Sequence, residues 1–152
     1  METGLSDSIV LVTGGAGGIG ESICRAFASE GAKVIVHYHE STENADKIAN
    51  EIDGFSIKTD LRDSSQALAL IDTIVENFGK IDICVANAGY YPSESKPIWD
   101  IDEERWNQTI SSNLDVAVNT ARSFLREASR TGSGSLVFVC LLYTSPSPRD
   151  RG

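Results

Sequence analysis

Residues 13–20 read Thr-Gly-Gly-Ala-Gly-Gly-Ile-Gly, with five glycines in eight positions. Residues without a Cβ reach backbone conformations closed to other side chains and let a ligand come close to the main chain. The turn follows a β-branched run at residues 9–12. It precedes Ile19, Ile23, Ala26 and Phe27, which recur at helical spacing. A strand, a glycine turn and a helix in that order present free N–H groups and the positive end of a helix dipole, a setting that suits a pyrophosphate. A merely flexible turn would account for the composition but not for the placement. A Walker-type loop is excluded, because Glu21 follows Gly20 where a lysine is required.

Three further polar positions could do chemistry. Asp60, with Leu61, follows the apolar run at 55–59, and its carboxylate can only accept hydrogen bonds when ionised; the plain alternative is a loop carboxylate near a helix cap. Asn87-Ala88-Gly89 follows the run at 81–86 and could be no more than a turn. Asn113 lies three residues after Ile110 and four before Ala117, so a helix puts it on their face, where its amide must find partners. A satisfied buried amide or a subunit-interface residue would explain it equally. His37 and His39 alternate on one run without a third ligand at useful spacing, so no metal site is expected.

The elements that must position these residues alternate along the chain. Strand-like runs at 9–12, 33–38, 55–59, 81–86 and 136–139 are apolar on both faces. Between them lie helical patterns stopped by Gly31, Gly54 and Gly79, with Ser41 or Thr42 and Asp63 or Ser64 as caps. A proline-containing loop at 87–100 leads to one long helix over 102–130, carrying Trp106, Ile110, Leu114, Ala117, Ala121, Phe124 and Leu125. Runs of this kind belong to a parallel sheet covered on both sides. The expected fold is therefore α/β, a doubly wound parallel sheet of Rossmann type that ends after its fifth strand.

The chain has 152 residues, room for one domain, and 41% of them are hydrophobic, which excludes a disordered or collagen-like chain. Thirteen Lys and Arg against 22 Asp and Glu leave a formal charge of −9. Nucleic acid is not an expected partner, because non-specific binding needs a cationic surface. The longest apolar run, 136–143, is far short of the ~20 residues of a membrane helix. Three cysteines form neither a disulfide framework nor a metal pattern, and no export signal opens the chain. A cytoplasmic location with no membrane association is the expectation.

These motifs together resemble the short-chain dehydrogenase/reductase family over residues 5–139. Gly14, Gly18 and Gly20 fit the TGxxxGxG turn of its short, single-domain branch, while Gly14, Gly17 and Gly20 would fit the GxxGxxG spacing of longer relatives. The Asn87-Ala88-Gly89 triplet decides for the short branch. The resemblance implies that Gly14, Gly18, Ile19 and Gly20 hold the pyrophosphate of an NAD(P) cofactor. It implies that Asp60, beside Leu61, accepts from the adenine amino group, and that Asn87, Ala88 and Gly89 shape the floor beside the ribose. It assigns Asn113 a catalytic role, holding a water in a proton relay to a lysine. At the end of the second strand, NAD-preferring relatives have an Asp where this chain has Tyr38, and NADP-preferring ones often have a basic residue at the position of His39. NADP(H) is thus slightly favoured over NAD(H), with Glu40 close by. The implied substrate is a small carbonyl compound or secondary alcohol, and the implied assembly of the parent protein is a homo-oligomer.

The family's chemistry needs a Ser just past the fifth strand and a Tyr-x-x-x-Lys beyond it. Here Tyr143 is followed four residues later by Ser147, and no lysine follows Lys96. The eleven residues Cys140 to Asp150 resemble instead a translated sequencing adapter of transposon origin. The expectation is an incomplete NAD(P)-binding domain at 1–139 with a non-native tail at 140–152. By itself the chain should be inactive, although its parent protein would be an oxidoreductase. The alternative is a Rossmann module that binds nucleotide without chemistry.

Overall fold

The computed structural model describes residues 3–140. The expected tail therefore lies outside the described residues, apart from Cys140. Five strands alternate with helices: β1 (Ile9–Val12), α1 (Gly18–Ser29), β2 (Lys33–Tyr38), α2 (Thr42–Glu51), β3 (Phe55–Lys58), α3 (Ser64–Phe78) and β4 (Ile83–Ala86). A 3₁₀ turn at Ile98–Asp100 precedes α4 (Glu103–Ile110). A π-helical turn (Ser111–Asp115) then leads into α5 (Val116–Thr131) and β5 (Ser135–Phe138). All strand pairs are parallel, in the order β3-β2-β1-β4-β5. The chain winds one way from β1 to β3 and the other way from β4 to β5, so a crevice opens at the carboxyl ends where the order reverses.

The pleat of the sheet divides the core in two. Ile9 and Leu11 of β1 face α3 and α5, packing with Ile35, Leu70, Ile74, Cys84 and Phe124. Val10 and Val12 face α1 and α2, packing with Val34, Val36, Cys24 and Ile48. Burial on both faces holds for β1 and β2. It fails for β3 and β5, which are the two edges and remain largely half-buried or exposed. An edge strand has only one neighbour to cover it, and an apolar run does not reveal which strands those are.

Local chemistry explains the boundaries. The Asp63 carboxylate caps α3 by accepting from the N–H groups of Ser65 and Gln66, and Gly79 closes it in the left-handed conformation. Ser41 precedes α2 without a side-chain cap bond. The expected long helix over 102–130 is present as a continuous helical run from Glu103 to Thr131, interrupted only in its hydrogen-bond pattern by the π turn, where the Val116 N–H reaches back to the Ser111 carbonyl. One extra residue is thereby inserted into the helical spiral. Trp106, Leu114 and Leu125 are exposed, whereas Phe124 is fully buried.

Candidate functional site

The carboxyl ends of β1 to β4 surround a cleft of about 580 Å³. Gly14, Gly18, Ile19, Gly20, Tyr38, His39, Asp60, Leu61, Asn87, Ala88 and Gly89 all line it. Every residue singled out for cofactor binding is therefore brought to one cavity. Asn113 is not on its wall.

The glycines of the turn do different things. Gly14 takes the left-handed conformation, φ +62°, and an added Cβ would sit 2.9 Å from the Ala88 Cα. A Cβ on Gly20 would fall 2.1 Å from the Gly14 carbonyl oxygen. Gly14 is glycine because the loop after β4 is packed against the turn, and Gly20 because the start of α1 is packed against the turn's own backbone. Gly18 is different, since a Cβ there meets no atom within 4 Å and would project into open space. No side chain caps α1 at Gly17. The first-turn N–H groups of the helix are thus left to meet an anion. Glu21 in that turn pairs with Arg25 at 2.8 Å, and Arg25 also reaches Glu51, so the acidic group is neutralised away from the cleft.

Thr13 and Asn87 lock the turn in place. The Thr13 hydroxyl accepts from the N–H groups of Asn87 and Ala88, both at 3.0 Å. The Asn87 amide donates to the carbonyls of Thr13 and Gly14 at 3.0 and 3.2 Å. Asn87 is thus a strut beneath the glycine turn. The role of Thr13 was not legible, because a threonine ending a strand has no distinctive pattern.

At the other end of the cleft Asp60 is clasped by Arg62, which donates to it from Nε at 2.8 Å and from Nη2 at 2.6 Å. His39 lies between Asp60 and Glu40, at 3.7 and 3.6 Å. The guanidinium hydrogen bonds hold the Asp60 carboxyl down to about 2, so it is an obligate acceptor at neutral pH. The loop bearing both residues is tied from behind by Asn119 of α5, whose amide donates to the carbonyls of Leu61 and Arg62 at 3.0 and 3.1 Å. Neither Arg62 nor Asn119 stood out in the sequence.

A carboxylate with a depressed native pKa stabilises the fold above its unfolded value, near 3.9, and loses that contribution as the pH falls toward about 2. The pair is partly exposed, which limits its contribution to less than about 1 kcal/mol. In Asp60→Asn this component should vanish, so the difference in stability between wild type and variant should shrink from pH 5 to pH 2. Urea unfolding across that range measures it, and a constant difference would refute the assignment.

Asn113 sits in the π turn, and its amide is spent on protein. Its Oδ1 accepts from the Tyr90 N–H at 3.0 Å, while its Nδ2 donates to the carbonyls of Tyr90 and Thr109 at 3.0 and 2.9 Å. Together these bonds pin the residue that follows Gly89, and a Cβ on Gly89 would come 3.0 Å from the Asn113 Oδ1. The side chain therefore has the geometry of a clamp on the cleft floor, with no atom directed into the cavity. Asn113→Leu should cost about 1–2 kcal/mol in chemical denaturation, because it leaves the Tyr90 N–H unmatched; an unchanged midpoint would show that the clamp is idle.

Among the described residues, no cluster of three His, Cys, Asp or Glu side chains could hold a metal ion. Neither is any helix among them long and apolar enough to cross a membrane.

A family model described as short chain dehydrogenase matches residues 8–146, which extends past Val139, where the motif resemblance stops. The chain is 35% identical over 143 residues to the uncharacterized oxidoreductase YvrD of Bacillus subtilis, a match covering 91% of this chain and 53% of that protein. It is 33% identical over 132 residues to the 3-oxoacyl-[acyl-carrier-protein] reductase FabG of Staphylococcus aureus, covering 84% and 53%. It is 31% identical over 144 residues to a cis-4-hydroxycyclohexanecarboxylate dehydrogenase of Sinomonas cyclohexanicum, covering 91% and 57%. The chain spans about half the length of the curated relatives it matches.

Proposed function

Because the chain belongs to the short-chain dehydrogenase family, we propose that its cleft binds NAD(P)(H) and that it is the cofactor-binding half of an oxidoreductase. The observation that carries this reading is the division of labour in the turn, in which packed Gly14 and Gly20 shape the backbone while Gly18 faces open space that a ligand could fill.

The residues fit the cofactor. The N–H groups at the start of α1 receive the pyrophosphate, and Gly18 and Ile19 lie alongside it. Asp60, held ionised by Arg62, accepts from the adenine amino group. Asn87, Ala88 and Gly89 form the floor beside the nicotinamide ribose, kept in place by Thr13 from one side and Asn113 from the other. When bound, the dinucleotide supplies or takes a hydride at the nicotinamide ring. Asn113 then acts by positioning the floor, because its amide is already satisfied; a direct catalytic part would have to fall to its main chain.

NADP(H) is slightly favoured over NAD(H). No carboxylate stands at Tyr38 to repel a 2′-phosphate, and His39 and Arg62 line that rim. Glu40 and Asp60 beside them keep the preference small. The substrate class is a small carbonyl compound or secondary alcohol. This agrees with a 3-oxoacyl-[acyl-carrier-protein] reductase and a cis-4-hydroxycyclohexanecarboxylate dehydrogenase being among its relatives. Leu114 of the π turn with Val118 and Leu125 of α5, all exposed, favour a homo-oligomer of the parent protein; its proposed place is the cytoplasm.

A non-catalytic nucleotide-binding module is the second reading; after β5 the chain's one tyrosine, Tyr143, has Ser147 rather than a lysine four residues on. Resequencing the source transcript past the codon for Val139 separates the two. A native continuation with a Ser and a Tyr-x-x-x-Lys selects the oxidoreductase, and a proline-rich segment that stops there selects the module.

A further inference from the structure

His37 is 2% exposed and lies on β2 beneath the cleft, where both ring nitrogens contact backbone groups. The Gly14 N–H donates to Nδ1 at 3.1 Å, and Nε2 is 3.0 Å from the Thr59 carbonyl oxygen. An amide N–H only donates and a carbonyl only accepts, so Nδ1 must be bare and Nε2 must carry the proton. One tautomer of the neutral ring satisfies both contacts. The imidazolium cannot, because a proton on Nδ1 would face the Gly14 N–H.

The backbone around the ring repeats the same connections. The Gly15 N–H donates to the His37 carbonyl at 2.9 Å, and the Thr59 N–H donates to that of Tyr38 at 3.0 Å. The imidazole therefore spans the gap between the turn after β1 and the end of β3, immediately before Asp60. Those two segments form opposite ends of the cleft. Burial pushes the ring's pKa down to about 4, so it is neutral at physiological pH, with His39 just past β2 and Asp60 just past β3 as the charged or titratable neighbours.

We propose that His37 is a positioning residue, whose neutral imidazole sets the orientation of the Gly14 peptide and ties the glycine turn to the Asp60 loop. The consequence for affinity rests on the reading of the cleft as a dinucleotide site. The ring itself does not touch the ligand. It holds the left-handed Gly14 peptide, whose carbonyl receives the Gly17 N–H just ahead of α1, and it keeps the two halves of the cleft in register.

Isosteric replacements separate this role from simple packing. In His37→Asn the amide oxygen takes the place of Nδ1 and keeps an acceptor for the Gly14 N–H, at the loss of the Thr59 contact. His37→Phe keeps an aromatic ring, slightly larger than the imidazole, and removes both contacts. Asn should retain NADPH affinity within about threefold of wild type, and Phe should lose at least tenfold. Amide hydrogen exchange at Gly14, read without nucleotide, should stay slow in Asn and become fast in Phe. Equal affinity and equal exchange in the two variants would overturn the proposal.

A second measurement needs no variant. Long-range proton–nitrogen spectra of the wild-type chain should show His37 protonated on Nε2 and bare on Nδ1 at neutral pH, and the opposite tautomer would overturn the proposal even if both variants failed to fold. If the folded wild-type chain bound neither NADPH nor NADH, the functional reading would fall, while the tautomer and the Gly14 exchange would still decide whether His37 positions the turn.

Discussion

Gly20→Ala is expected to destabilise the domain by about 3 kcal/mol or more, and to abolish measurable nucleotide binding with it. The added methyl would lie 2.1 Å from the Gly14 carbonyl oxygen, 2.8 Å from the Gly15 Cα and 2.9 Å from the Asn87 Nδ2. Two of these are main-chain atoms of the turn itself, and the third belongs to the strut that holds it. None is the free end of a flexible side chain, so relief requires the turn to move away from α1. Overpacking of this kind typically costs about 1–3 kcal/mol where side chains can adjust, and a backbone collision lies at or above the top of that range. Against a total stability of about 5–15 kcal/mol the loss is large. Thermal unfolding of wild type and variant measures it. An unchanged transition would mean that α1 and the turn are not packed as described.

Gly18→Val should do the reverse, leaving stability nearly unchanged and removing binding. Its Cβ meets nothing within 4 Å, and Gly18 is not among the glycines held at positive φ. Valine is also no worse than glycine in the first turn of a helix. The branched side chain, however, would fill the space beside the N-terminus of α1 where a pyrophosphate must approach. Affinity for both dinucleotides should fall at least tenfold, or about 1.4 kcal/mol or more. Isothermal titration of both cofactors decides this, and full affinity in the variant would remove the phosphate role from the turn. The two substitutions lie two residues apart in one motif, yet their expected effects fall on different observables.

That contrast shows how far the sequence could be read. Spacing placed Gly14, Gly18 and Gly20 in one motif but could not say that Gly20 is closed in by the Gly14 carbonyl while Gly18 is open, because those neighbours are set by tertiary packing. The α/β alternation was legible, since apolar runs and glycine stops are local signals. The π turn was not. Apolar positions three or four residues apart, such as Ile110, Leu114 and Ala117, tolerate one inserted residue without a visible change of period. Asn113 could be recognised as a polar residue in need of partners, but not that Tyr90 supplies two of its three bonds from another loop.

The histidines illustrate the same limit. His37 and His39 invite comparison with metal ligands, because such a pair is what a sequence displays. The partners of His37 are a glycine N–H and a threonine carbonyl, backbone groups that every sequence contains and none advertises. Arg62 and Asn119 were invisible for a related reason. Arg62 gains its meaning from the Asp60 carboxylate beside it, and Asn119 from two carbonyls nearly sixty residues earlier in the chain.

Direct titration of the 152-residue chain tests with the least intervening inference whether this cleft is a dinucleotide site. NADPH and NADH should each be added, in separate experiments, to chain whose folding has been verified by a cooperative unfolding transition. Saturable binding of one dinucleotide per chain is expected for both, with NADPH modestly tighter. Absence of binding of either dinucleotide to the folded chain would contradict it.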